Sequence, residues 1–127
     1  VARIIIADDD ELVVDIVRAA LEARGHIVGA LPDGVAVQAV LQSKRPDLLI
    51  LDCNMPEKGG ITALREVRAA AGSYDIPVLM LTARTAKSDE WLAYQSGADD
   101  FLRKPFDADQ LVARAEALLG DSRRLRA

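Results

Sequence analysis

Apolar residues along the chain fall into two alternating rhythms. Short unbroken runs appear at Ile4-Ile5-Ile6-Ala7, Leu48-Leu49-Ile50-Leu51 and Val78-Leu79-Met80-Leu81. They are bounded by Arg3 and Asp8, by Asp47 and Asp52, and by Pro77 and Thr82. Such runs are the pattern of strands buried on both faces of a sheet. With two weaker runs they predict five strands, near residues 3–8, 26–31, 47–52, 77–82 and 99–103. Between them lie longer stretches with apolar residues at helical spacing. Leu12, Ile16, Ala19, Ala20 and Ala23 predict the inner face of the first helix. Val37, Val40 and Leu41 do so for the second, Leu64, Val67 and Ala71 for the third, and Leu111, Ala115 and Leu118 for the last. The fourth helix, about 87–96, is less regular and carries Trp91, Leu92 and Tyr94.

The punctuation agrees. Gly25 and Gly97 follow the first and fourth helices as C-terminal stops. Pro46 and Pro77 stand at strand entrances, where a missing N–H is tolerated. Asp10 is placed to cap the first helix and Asp107 the last. The connections are too long for hairpins and long enough for crossover helices. Alternating strands and helices predict an α/β domain whose parallel five-stranded sheet is covered on both faces. Residues 1–120 are read as one domain, and 121–127, with Arg123, Arg124 and Arg126, as a basic tail or the start of a linker.

Composition narrows the function classes. The 127 residues suit one core, and half of them are apolar. The net charge of −4 argues against direct nucleic-acid binding by the domain. Cys53 is the one cysteine, which rules out an intrachain disulfide and any multi-cysteine zinc site. It is expected to be a small buried side chain, not a redox centre. No apolar stretch approaches membrane-spanning length, and the cytoplasm is the expected location. The chain begins with Val1, which suits processing or excision from something longer.

Chemistry gathers where the strands end. The first ends in Asp8, Asp9 and Asp10, the third in Asp52, the fourth in Thr82 before Ala83, and the fifth in Lys104-Pro105. Right-handed crossovers bring these ends to one edge of the sheet, where open α/β sheets place ligands. Crowded carboxylates call for a neutraliser, and a hard divalent cation with oxygen ligands is the simplest. Carboxylates, a cation, a hydroxyl and an ammonium are the parts of phosphoryl transfer. An aspartate can be the nucleophile.

Four segments carry a family resemblance. They are residues 4–10, residues 46–56 with Gly60, Pro77 to Ala83, and Gly97 to Phe106, including Lys104-Pro105. In this order and spacing the chain resembles the receiver domain of bacterial two-component response regulators, from residue 3 to about 119. The resemblance implies a doubly wound (βα)5 flavodoxin-like fold with strand order 2-1-3-4-5. It makes Asp52 the phosphoacceptor, and Asp8 and Asp9 the acidic pair that holds Mg²⁺, with Asp9 the direct ligand. The Asn54 backbone carbonyl would be a further ligand. Thr82 would bond the phosphoryl group near the Ala83 N–H, and Lys104 would pair with the acceptor and then the phosphoryl oxygens. The Lys104-Pro105 bond is implied to be cis, and Phe101 to be an aromatic switch.

The resemblance implies a sensor histidine kinase or histidine phosphotransfer protein as partner. It also implies an activation-dependent homodimer through the fourth helix, fifth strand and fifth helix, with Asp100 and Arg114 at pairing positions. The domain would catalyse only its own phosphorylation and dephosphorylation. One departure is Gly59, where many members carry Asp; it predicts a more flexible loop. His26, at a strand entrance, is expected to be exposed and is not read as a phosphorelay histidine. Trp91 and Tyr94 are read as surface or packing residues. Three alternatives stand beside this reading. One is a haloacid-dehalogenase-type phosphatase, which also follows a strand with Asp-x-Asp. One is a flavodoxin-like nucleotide binder, which three aspartates in the first loop disfavour. The last is a receiver-like module that no longer takes phosphate.

Overall fold

The computed structural model describes residues 1–83 and 87–126, with no account of the side chains of 87–89 and 122–126. In chain order the elements are β1 (Arg3–Ala7), α1 (Glu11–Glu22), β2 (Ile27–Leu31), α2 (Val37–Lys44), β3 (Leu48–Asp52), α3 (Gly60–Ala69), β4 (Val78–Thr82), α4 (Lys87–Gln95), β5 (Asp100–Arg103) and α5 (Ala108–Arg126). All strand pairings are parallel, in the order β2-β1-β3-β4-β5. This is the doubly wound (βα)5 sheet expected. α5 continues as helix through the segment read as a tail.

Every residue of β3 and β4 is buried. Alternate residues of β3 serve opposite faces. Leu48 and Ile50 join Ile4, Ile6, Val17, Leu21, Leu111 and Ala115 on the side of α1 and α5. Leu49 and Leu51 join Val37, Leu41, Leu64, Val67, Met80 and Phe101 on the other. Two cores therefore grip the central strands, and their carboxyl ends have little room to move.

Three expectations need correction. α1 does not bury Leu12, Ile16, Ala19 and Ala23, all of which are exposed. It buries Val17 and Leu21, with Val13 and Val14 against the same core. The helix is apolar on more than one face, and helical spacing alone fits either stripe. Ala71 lies outside α3, because Ala70 turns extended and ends the helix. His26 is not exposed, its side chain being only 12% accessible. Its Nδ1 accepts from the Ala2 N–H at 3.2 Å, and its Nε2 lies 3.1 Å from Glu116.

Gly25 and Gly97 do terminate their helices, with φ of +90° and +112°. At Gly97 an arginine adds a second constraint. Arg68 of α3 donates to Gly97 O at 2.9 Å, Tyr74 O at 3.0 Å, Ile76 O, and Asp99 at 2.8 Å. Asp99 also accepts the Val78 N–H at 2.8 Å. One side chain thus ties the end of α3 to the entrances of β4 and β5. Arg68→Ala should lower unfolding free energy by about 2–4 kcal/mol, since several carbonyls lose a charged donor together. Urea denaturation measures it, and a loss below about 0.5 kcal/mol, the level of an ordinary surface change, would contradict this role.

Candidate functional site

β1 and β3 are neighbours, with Ala7 opposite Leu51, so the residues that follow them emerge together. Asp8 is 2% accessible and Asp52 4%, whereas Asp9 is exposed. Carboxylate oxygens of the three lie within 4.8 Å of one another. Asp10 turns away from this group. Its Oδ1 accepts the Leu12 and Val13 N–H groups at 3.0 and 3.4 Å and caps α1. The three consecutive acids thus divide between an inward residue, an exposed one and a helix cap. Three oxygens at this separation suit a hard cation that takes carboxylate ligands.

The fifth strand supplies the counter-charge. Lys104 Nζ donates to Asp8 Oδ2 at 2.8 Å and to Asp52 Oδ1 at 3.3 Å. The shorter bond is to Asp8, not to the residue expected as its main partner. The peptide bond from Lys104 to Pro105 is cis. Lys104 N–H bonds Thr82 O at 2.7 Å, which sets the lysine beside the end of β4. Thr82 itself is fully buried, opposite Arg103 in the sheet register.

Charge is held here under tension. Burial pushes the Asp52 carboxyl up from 3.8 to about 6, and Asp8 adds to this while Lys104 opposes it. Burial works to lower the Lys104 pKa. The bond from Asp8 and the charges of both aspartates outweigh it, so the net direction is upward.

The loop from Cys53 to Gly59 rims the site. Asn54 is exposed and Cys53 only half-buried, not the buried side chain expected. Gly60 presses against the strand end, since a Cβ there would stand 2.0 Å from Asp52 O. Its N–H bonds Cys53 O at 3.0 Å and closes the loop. Phe101 lies behind, 6% accessible, with the Tyr94 ring 6.5 Å away and the Arg103 guanidinium 5.9 Å from its centroid. Tyr94 and Trp91 are exposed. Asp8, Asp9, Asp52 and Lys104 are therefore brought together, Thr82 borders them, and Phe101 stands apart in the core.

Comparisons with known proteins bear on the family and the fold. The profile of the response regulator receiver domain family matches residues 4–116. The chain is 43% identical over 117 residues to the DNA-binding dual master transcriptional regulator RpaA of Synechocystis sp., covering 92% of this chain and 48% of that protein. It is 44% identical over 116 residues to the response regulator protein PmrA of Pseudomonas aeruginosa, covering 91% and 52%. The chain thus spans about half the length of these relatives. The receiver domain of the Francisella response regulator 1452 superposes with a TM-score of 0.88 at 26% identity, covering 96% of this chain and 99% of that one.

The tension at Asp52 has a measurable sign. Its folded pKa lies above its unfolded value, so the native state binds more protons between about 3.8 and about 6. Stability from this group is present below that window and falls as pH rises through it, by up to roughly 3 kcal/mol. Without divalent cation, Asp52→Asn should be about 1–3 kcal/mol more stable than the parent at pH 7.5. The gain should vanish near pH 4, where the parent's Asp52 is protonated as well. Urea unfolding across pH tests this; a variant less stable than the parent at pH 7.5 would contradict it.

Proposed function

The chain belongs to the response regulator receiver domain family of two-component signalling, and on that footing we propose that Asp52 is its phosphoacceptor. The observation that carries the reading is one lysine bonded to two buried aspartates from different strands, with a third carboxylate within reach. Receiver domains are signalling modules, and this one is proposed to catalyse only its own phosphorylation and dephosphorylation. The donor is a phosphohistidine on a sensor histidine kinase or a histidine phosphotransfer protein. No helix among the described residues is long and apolar enough to cross a membrane. A cytoplasmic site of action fits a kinase partner of this kind.

Asp8, Asp9, Asp52 and the Asn54 carbonyl are proposed to hold Mg²⁺. Bound there, it offsets the mutual repulsion of the carboxylates and the incoming phosphoryl oxygens. A carboxylate oxygen of Asp52 forms a bond to phosphorus as the phosphorus–nitrogen bond of the donor breaks, leaving the electron pair on the imidazole. Lys104 exchanges part of its bonding to Asp52 for a phosphoryl oxygen. The Thr82 hydroxyl and the Ala83 N–H take the remaining oxygens. Water later cleaves the acyl phosphate, so the modified state is temporary. Drawing Thr82 toward the phosphoryl group is proposed to change the packing of Phe101 and so the α4–β5–α5 surface.

That surface is the proposed homodimer contact. Arg114 already bonds Asp100 Oδ1 at 2.8 Å within the chain, so a pairing across a dimer must exchange this bond. The family match removes the haloacid-dehalogenase alternative, and three carboxylates before α1 leave no phosphate-binding loop for a nucleotide binder. A phosphate-independent module is the reading that the experiment excludes. Incubation with a small phosphodonor and Mg²⁺ should add the mass of one phosphoryl group. The gain should be absent for Asp52→Asn and absent when the metal is chelated. No gain by the parent, or an undiminished gain by Asp52→Asn, would overturn the assignment. With a phosphoryl analogue bound, amide shifts should move at Phe101 and along residues 100–110, and sedimentation should show the dimer. Unmoved shifts would remove the switch.

A further inference from the structure

The loop that closes over Asp52 carries residues that loosen its second half. Glu57 sits at φ +66°, a region costly for a residue with a Cβ, and Gly59 and Gly60 follow. Lys58 N–H bonds Pro56 O at 2.7 Å, and Gly60 N–H returns to Cys53 O. Extra mobility is what Gly59 predicts from the sequence.

At its start the loop is anchored by the Cys53 N–H bond to Leu81 O at 2.9 Å and by Cys53 and Met55 against the core; nearer its end, two further restraints act at Lys58. Its Nζ donates to both carboxylate oxygens of Glu66 on α3, at 2.8 and 3.0 Å. On the other side its backbone carbonyl packs against Gly34 of the β2–α2 connection, so closely that a Cβ on Gly34 would stand 2.5 Å from Lys58 O. The loop is thus held between α3 and the β2–α2 connection.

We propose that Lys58 and Glu66 form a positioning clasp that fixes the β3–α3 loop so that the Asn54 carbonyl meets the cation at Asp8, Asp9 and Asp52. This rests on the metal-site reading above. Exposed ion pairs contribute little to global stability. A pair that orients a ligand-bearing loop acts instead on metal affinity, as outer-shell partners do.

Sign separates this role from simple electrostatics. By charge alone, removing the Lys58 cation near a carboxylate cluster tightens Mg²⁺ binding, and removing the Glu66 anion weakens it. A clasp loses affinity in both cases. Mg²⁺ titration of amide shifts on the whole chain compares the parent, Lys58→Met, Glu66→Gln and the exchanged pair Lys58→Glu with Glu66→Lys. Each single variant should bind about tenfold more weakly, the lower end of the range for outer-shell supports. The exchanged pair should regain most of the loss. Amide hydrogen exchange at Gly60, measured without metal, should speed up in both single variants and slow again in the exchanged pair. Lys58→Met binding Mg²⁺ as tightly as the parent, or more tightly, would overturn the clasp and leave the metal site standing. A parent with no Mg²⁺-dependent shifts would overturn the metal site and the clasp together.

Discussion

The contact between Lys104 and the buried pair Asp8 and Asp52 is the one on which the site depends. Two carboxylates at 2% and 4% accessibility cannot share a pocket with a third close by unless something positive faces them. The ammonium does this only in part. It sits 2.8 Å from Asp8 and 3.3 Å from Asp52, and the Asp52 carboxyl still stands at about 6. The protein gives up stability to hold an excess of negative charge at the sheet edge. A divalent cation is the kind of ligand that resolves it.

The fold holds that excess of negative charge in place. β3 and β4 are buried at every residue, so the ends of both strands are set by two cores at once. β1 delivers Asp8 and Asp9 beside β3, and β5 delivers Lys104 from the far side of β4. The Lys104 N–H bond to Thr82 O makes the lysine an extension of the sheet ladder rather than a free loop side chain. Rigid strands therefore fix the charged groups. The segments left to vary are the connections, notably the β3–α3 loop with its glycines and its lysine tie.

Much of this was legible in the sequence, and what was not has physical reasons. Short apolar runs ending in a charged or hydroxyl residue mark β1, β3 and β4 to within one residue, because buried parallel strands leave little choice of composition. The strand-end acids, Thr82 and Lys104 followed from that placement. The inner face of α1 did not follow. Leu12, Val13, Val14, Ile16 and Val17 are all apolar, and only the packing against α5 and β1 decides that Val17 goes in and Leu12 stays out. The burial of His26 is not legible because its partners, Ala2 N–H and Glu116, lie 24 and 90 residues away. The role of Arg68 is not legible because most of its acceptors are backbone carbonyls, which no sequence pattern marks. The Lys58–Glu66 tie spans a loop and part of α3, a spacing with no helical or strand period to betray it.

Burial and crowding hold Asp52 reluctant to ionise, and a bound cation would relieve it. A carbon-13 NMR titration of the Asp52 side-chain carboxyl tests this directly, run without and with saturating Mg²⁺. The midpoint should lie at about 6 without metal and fall markedly when Mg²⁺ is present. A midpoint near the ordinary 3.8 that Mg²⁺ leaves unchanged would contradict it.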